Sequence, residues 1–287
     1  MTQLFSGVES SSTKSDLRDS IFASLKQGLF TAEVRVTTPG LVCGVESARA
    51  KVEKLGCVVL DALNDGDVSL AERPVLCLRG SAKALAMAED CVPGDVGKFS
   101  GIARAARHAQ DLAGGRVRVV SGAAKKMPDE IKAQVRRAIH CGGGSACLSN
   151  RPFLYLDKNY VRMFGGVRET LAAVSAMSGY VRAIQLRGLI ASLASEARAA
   201  IEMKAEILMV DTGRLEDLDL VAAMVRESSR REATTIAFAG DIAMNDISAI
   251  AAHDVDILDV GRAIIDAPMV DIKFDVVIEG AMAAEAP

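Results

Sequence analysis

The chain contains no tryptophan, and aromatic residues make up only 4% of it, so recognition of bases or sugars by stacking has little to draw on. Neither sign of charge dominates. Lys and Arg number 34 against 37 Asp and Glu, a formal net charge of −3, without the basic excess that a nucleic-acid partner calls for. No apolar run reaches the roughly 18–20 residues of a membrane span, so no membrane partner is expected. Residues 1–15 are polar and serine-rich, with no basic segment ahead of an apolar one. They do not read as a signal peptide, and the cytoplasm is the expected location. The six cysteines, Cys43, Cys57, Cys77, Cys91, Cys141 and Cys147, form no Cys-x-x-Cys pair. In a reducing compartment they are expected to be small buried hydrophobes rather than disulfides. His140, Cys141 and Cys147 lack zinc-ligand spacing, and no metal site is expected there.

What remains is an ordinary globular composition, 50% hydrophobic and 25% charged, over 287 residues. That length suffices for a barrel and a smaller domain with separate cores. Ser15 is a candidate N-cap for an opening helix over 16–29, with Ile21, Leu25 and Leu29 on its apolar face. Strand-like runs follow at 30–37, 40–45, 57–63 and 74–79, with Asn64-Asp65-Gly66-Asp67 as a turn and an alanine-rich helix over 81–89. Beyond these the texture changes. Strands are predicted at 116–120, 153–156, 180–186, 206–210, 234–239 and 256–260, alternating with helices at 130–140, 167–177, 192–204, 215–226 and 247–252. Near-continuous apolar strands separated by helices predict a parallel sheet. No strand leads into Gly-x-Gly-x-x-Gly or a P-loop, so an incomplete six-stranded α/β barrel fits better than a doubly wound sheet. A last run, 270–278, is expected to return to the first domain. The expected division is a small α+β sandwich domain of residues 1–108 plus 270–287 and a barrel domain of 109–269, with 281–287 as a loose tail.

The most informative stretch is Ala138-Ile139-His140-Cys141-Gly142-Gly143-Gly144, between a helical pattern and the run Phe153-Leu154-Tyr155-Leu156. Glycines let the chain stop a helix and drop into a strand, through positive φ and close backbone approach. Charge then follows each strand: Lys125 and Lys126 after the first, Asp157, Lys158 and Asn159 after the second, and Arg187, Asp211, Asp241 and Arg262 at the ends of the third to sixth. In an α/β barrel those ends converge on one mouth, where such folds place their chemistry. Gly240-Asp241 and Gly261-Arg262 each precede a helical start, which makes them candidate phosphate-binding turns.

The segment from Gly40 to Val45, Asp65-Gly66-Asp67, the run from Ser81 to Glu89, Ser100-Gly101-Ile102-Ala103, Cys141-Gly142-Gly143-Gly144, Asp211 and Val260-Gly261 occur in a familiar order. Through them the chain resembles the quinolinate phosphoribosyltransferase family (nicotinate-nucleotide pyrophosphorylase, carboxylating). The resemblance implies condensation of quinolinate with phosphoribosyl pyrophosphate, with decarboxylation, at a site rich in cations that hold carboxylates and phosphates. It also implies a homodimer in which one subunit's small domain closes the other's barrel mouth, which would carry Asp90 into the partner's site.

At most of those cationic positions this chain departs from the family. The family's Glu-Arg before the junction helix is Glu89-Asp90 here. Its Asp-Thr-Arg-Lys-Thr-Thr-Pro-Gly loop aligns with residues 122–129, where the arginine is Ala124 and the lysine survives as Lys125. Its Val-Asn-His-Arg becomes Ser145-Ala146-Cys147-Leu148, and its Lys-Asp-Asn-His becomes Asp157-Lys158-Asn159-Tyr160. The glutamate of its third strand falls near Arg187 or Ile190, its Ser-Gly-Gly becomes Ala239-Gly240-Asp241, and its last histidine becomes Ile265. One charge reversal at about 4 Å shifts affinity by several kcal/mol at an effective dielectric near 20. The acquired Asp90, Asp157 and Asp241 therefore argue against tight quinolinate binding.

Three readings stay open at this point. The first is a phosphoribosyltransferase-like enzyme with a phosphorylated substrate and an acceptor other than quinolinate. Lys125, Lys158 and Asp211 would be its catalytic residues, and Lys126, Asp157, Asn159, Arg187 and Asp90 its ligand contacts. Gly240, Asp241, Gly261 and Arg262 would bind phosphate, with Mg²⁺ as the one candidate cofactor. The second uses a strand-end lysine, Lys125 or Lys158, to form a Schiff base. The third is a non-catalytic binding homologue, whose barrel would be filled by apolar side chains.

Overall fold

The computed structural model describes residues 16–25, 28–71 and 73–277. The chain opens with α1 (Leu17–Ile21), capped by the Asp16 side chain, which accepts from the Arg18 N–H, and a 3₁₀ turn at Ala23–Leu25. The helix is thus shorter than its apolar spacing predicts, and Ser15 lies outside the described residues. Strand pairing prevails over helical periodicity at its far end: β1 (Leu29–Val36) already pairs Leu29 with Ser81. The predicted strand over 40–45 shrinks to β2 (Gly40–Leu41), because Gly44, at φ 87°, turns the chain into a helix missed by the sequence reading, α2 (Val45–Lys54). A Cβ at Gly44 would stand 2.5 Å from the Asp95 carbonyl oxygen. The N-terminus of α2 is capped from a distance, as Asp65 Oδ1 accepts from the Val45 N–H at 2.8 Å. Then come β3 (Val58–Ala62), β4 (Val68–Ser69) and β5 (Leu76–Ser81).

The next helix, α3 (Ala82–Leu112), corrects a second expectation. The helix predicted to end at 89 continues through Pro93 and through the Ser100–Ala103 motif to Leu112. Proline removes one helical hydrogen bond, but a helix buried on two domains keeps its course. Its faces carry Ala84, Leu85, Ala88, Val92 and Val96 into the first core and Phe99, Ile102, Ala103, Ala106 and Ala109 into the second.

Strands and helices now alternate: β6 (Arg118–Val120), a 3₁₀ turn at Gly122–Lys126, α4 (Asp129–Cys141), β7 (Phe153–Leu156), α5 (Lys158–Phe164), α6 (Val167–Ala173), β8 (Val181–Leu186) and α7 (Leu193–Glu202). They continue with β9 (Ile207–Asp211), α8 (Leu215–Glu227), β10 (Thr235–Ala239), α9 (Ile247–Ile250), β11 (Ile257–Asp259), α10 (Arg262–Ile265) and β12 (Ile272–Val277). The six barrel strands form one parallel sheet in the order β6-β11-β10-β9-β8-β7. Both faces are covered. Ala183, Ile207, Met209, Ala237 and Ile257 meet in the interior, while Ile184, Leu208, Ile236, Phe238 and Leu258 pack on the outer helices. The edge strands β6 and β7 are not paired with each other. The segment after the glycine run lies in that seam: Ser145 bridges to Val120, and Leu148, 7% exposed, joins the interior cluster.

The smaller antiparallel sheet has the order β12-β1-β5-β3, with β12 returning to pair along β1. To reach it, residues 267–270 cross α3 at very short range. Val270 donates to the Gly97 carbonyl at 3.0 Å, and Lys98 Nζ donates to Ala267 O at 3.0 Å. Ordinarily Gly→Ala inside a helix gains about 1 kcal/mol. At Gly101 a Cβ would lie 2.1 Å from the Pro268 carbonyl oxygen, backbone that must move to admit it. Gly101→Ala is therefore expected to lower stability by about 1–3 kcal/mol, read as a lower urea midpoint at unchanged m-value.

Candidate functional site at the barrel mouth

At the C-terminal ends of the strands the inward side chains change from apolar to polar. On β8, Val181 and Ala183 give way to Gln185; on β9, Ile207 and Met209 to Asp211; on β11, Ile257 to Asp259. Strand alternation with a period of two puts these three on the inner face.

Asp259 Oδ1 accepts the Gly122 N–H at 2.8 Å. A Cβ at Gly122 would stand 2.8 Å from Asp259 Oδ2, so the aspartate occupies room that a side chain at position 122 would take. Burial raises the Asp259 carboxyl above the usual range, helped by the charge of Asp211; the Gly122 N–H and the ammonium groups of Lys125 and Lys126 pull the other way. Tyr155 is pushed up as well, first by burial and then by Asp259, Asp211 and Asp157. Lys125 Nζ sits 5.1 Å from the centre of the Tyr155 ring, a cation–π contact that brings the ammonium over the mouth.

Gln185, 8% exposed, joins two strand ends. Its Oε1 accepts the Lys158 N–H at 2.6 Å, and its amide donates to Asp211 Oδ2. Arg187 approaches the same carboxylate at 3.5 Å. The loop that carries Arg187 is fixed from below by Glu196 on α7, 3% exposed, whose carboxylate accepts from the N–H groups of Arg187, Gly188 and Leu189 at 2.9, 2.8 and 3.0 Å.

The structure thus brings together Lys125, Asp211, Arg187 and, through its backbone, Lys158. Asp157 serves as the N-cap of α5, its Oδ1 accepting from the Asn159 N–H at 2.9 Å, and Asn159 is exposed. Lys126 is exposed on the 3₁₀ turn beside Asp259. Asp241 and Arg262 pair with each other, at 2.6 and 2.7 Å, and both are largely exposed. Gly240, at φ 127°, closes against Gly213, and Gly261 precedes the four residues of α10. Ile265 is buried in the outer core. Asp90 lies elsewhere, on α3 in the first domain, paired with Arg18. Ile190 is half exposed on the loop after β8.

Asp259, Gln185, Tyr155 and Glu196 were missed. The first three sit inside runs read only as strand, and the signal available was strand parity: counting by two from Ala183 or Ile257 reaches Gln185 or Asp259. For Glu196, one acid on a helix that reads as amphipathic, no sequence signal existed. A cavity of about 570 Å³ is at the opposite end of the barrel among Arg118, Arg231, Thr234 and Asp256, away from these groups. Among the described residues, no helix is long and apolar enough to cross a membrane, and no group of three or more His, Cys, Asp or Glu could hold a metal ion.

Comparison with known proteins agrees with this architecture. The sequence models of the quinolinate phosphoribosyl transferase N-terminal and C-terminal domains match residues 19–94 and 102–275. A probable nicotinate-nucleotide pyrophosphorylase [carboxylating] of Archaeoglobus fulgidus is 24% identical, the match covering 83% of this chain and 90% of that protein. The nicotinate-nucleotide pyrophosphorylase [carboxylating] of Rattus norvegicus is also 24% identical, over 90% of this chain and 86% of its own. Among solved structures, the nicotinate-nucleotide pyrophosphorylase from Ehrlichia chaffeensis superimposes with a TM-score of 0.77 at 15% identity, over 92% of this chain and 93% of its own. The chain belongs to the quinolinate phosphoribosyl transferase family. Membership supports a phosphoribosyltransferase-type function.

Two expected outcomes follow from the polar layer. Glu196→Ala removes a buried charged acceptor from the N–H groups of Arg187, Gly188 and Leu189, at a cost of about 1–3 kcal/mol in urea denaturation. Asp259 has a raised folded pKa, so the native state binds more protons than the unfolded state above the ordinary value of 3.8, and stability falls as pH rises through the folded pKa. Asp259→Asn abolishes this dependence. The variant is expected to gain on the parent by about 1.4 kcal/mol for each pH unit over which only the folded parent keeps its proton, and to lose the advantage near pH 4.

Proposed function

We propose that the protein is a phosphoribosyltransferase-type enzyme that takes a phosphorylated substrate and an acceptor other than quinolinate. The observation that carries the reading is the acidic inner layer of the mouth, Asp211 and Asp259 around Tyr155, with Lys125 as the cation held over the ring. A dicarboxylate acceptor entering there would meet the like charge of Asp211 in a partly desolvated site, worth about 4 kcal/mol for one contact at 4 Å and an effective dielectric of 20. Leu148 adds to this, since it presents an apolar side chain to the interior where the family pattern has an arginine.

Lys125 and Arg187 are the groups suited to an anionic substrate, Lys125 as a point charge and Arg187 as a planar donor. Asp211, oriented by Gln185, faces the reacting centre and favours a positively charged acceptor or the positive charge that grows on the ribosyl carbon as pyrophosphate departs. Asp259, whose carboxyl burial raises above the ordinary range, is the candidate proton donor of the same layer. Magnesium enters only as a complex with the substrate's phosphates, which needs one or two protein carboxylates rather than a cage. The polar mouth favours this reading over a non-catalytic homologue with a wholly apolar barrel. The shared dimer site, with Asp90 facing the partner's mouth, is part of the proposal, as is a cytoplasmic location.

Calorimetric titration with phosphoribosyl pyrophosphate, with and without Mg²⁺, tests it. Micromolar binding is expected, weakened tenfold or more in Lys125→Ala, with no heat from quinolinate. Absence of phosphoribosyl pyrophosphate binding overturns the transferase reading, and tight quinolinate binding overturns the assignment of the acceptor.

A further inference from the structure

Cys43 and Cys141 come from different domains and touch. Cys43 follows β2 in the first domain, Cys141 ends α4 of the barrel, and their sulfurs are 3.6 Å apart with the Cys43 thiol donating. Both are held to the same helix. The Ser100 hydroxyl on α3 binds the Cys43 backbone twice, accepting from its N–H at 3.0 Å and donating to its carbonyl at 3.2 Å. On the other side Gly142 lies so close to α3 that a Cβ would meet Ala103 O at 2.3 Å and Ala106 Cβ at 2.6 Å. One rigid element thus presents two thiols to each other, a pre-paid proximity that chain entropy would otherwise oppose. A cavity of about 340 Å³, lined by Asp65, Gln134 and Arg137 among others, reaches Cys43, and Cys141 beside it is partly exposed.

We propose that Cys43 and Cys141 form a reversible oxidation site, converted by hydrogen peroxide or a similar hydroperoxide into a disulfide that ties the first domain to the barrel. Cys141 is the attacking sulfur. Cys43 is almost wholly buried, whereas Cys141 is partly exposed, follows Arg137 by one helical turn, and accepts the Cys43 S–H, which lowers its pKa while that of Cys43 is raised. The Cys141 thiolate attacks one peroxide oxygen. An S–O bond forms, the O–O bond breaks, and the departing hydroxide takes a proton to become water. The Cys43 sulfur then attacks the sulfenic sulfur of Cys141, forming S–S and breaking S–O; the Cys43 proton leaves with the oxygen as a second water. Two thiols are oxidised by two electrons in all, and one peroxide is reduced to two waters. The sulfurs close from contact to about 2.05 Å, a movement within reach of χ1 adjustment on a loop and a helix end.

The test is a thiol map of the reduced, full-length protein before and after peroxide, by alkylation under denaturing conditions and fragmentation mass spectrometry that separates Cys141 from Cys147. A Cys43–Cys141 link, the loss of Cys43 and Cys141 as alkylatable thiols and their return with dithiothreitol are expected. In Cys43→Ser the link is gone and Cys141 is trapped as a sulfenic acid by a cyclic dione. The proposal is overturned if the parent keeps both thiols alkylatable after peroxide has consumed exposed Cys147, or if Cys141 proceeds to the sulfinic acid without the link. The parent's map alone decides, whether or not the serine variant folds.

Discussion

Close approach of backbone to helix α3 is the constraint on which the rest of the structure depends. The helix runs through both cores, and three chain segments must reach it at sub-side-chain distance: the 267–270 strap at Gly97 and Gly101, the Gly142 turn at Ala103 and Ala106, and the Cys43 loop at Ser100. Only small residues permit this. The strap carries β12 back to the first sheet, and the Gly142 turn delivers residues 144–148 to the barrel seam. A bulkier α3 would displace both sheets at once, because interiors packed at crystal density pass strain on instead of absorbing it.

The seam has a consequence for the mouth. An open parallel sheet leaves unpaired N–H and C=O groups along β6 and β7. Here Ser145 supplies partners for β6: its N–H donates to Val119 O at 3.2 Å and its carbonyl accepts from Ser121 N at 2.8 Å. Arg118 adds donors to the carbonyls of Cys147 and Leu148. The segment therefore satisfies the edge while sending Leu148 inward. Backbone pairing and interior packing both fix the position, so Leu148 is a structural part of this barrel, and polar chemistry is confined to the layer above it.

Much of this was legible from the residues. The apolar runs of the barrel strands, the glycine run, and the return of the chain as far as Val277 need only periodicity and turn chemistry, and the six-stranded sheet has the predicted strands. What sequence could not supply was anything settled by contact at a distance. Helix α2 begins where Asp65, twenty residues on, caps its first N–H groups, and Val45, Ala48 and Val52 are too few apolar residues to announce it. Helix α3 outlasts Pro93 because burial on both sides outweighs one lost hydrogen bond. At the mouth, charges on loops were visible as charges, yet the buried partners that orient them, Gln185, Asp259 and Glu196, lie within strand and helix patterns that hid their role.

The pairing of charges at the mouth also separates the candidate residues physically. Asp241 and Arg262 neutralise each other in largely exposed positions, where an ion pair is screened and worth little. Asp211 differs because Gln185 commits an amide to it from a buried position while Arg187 only approaches at 3.5 Å. A carboxylate oriented by a neutral donor keeps most of its charge available to a ligand, whereas one closed into a bidentate arginine fork does not. Asp259 faces the same space, its carboxyl raised above the ordinary range by burial. Gln185 on one side and burial against Gly122 on the other thus give Asp211 and Asp259 different surroundings within one mouth.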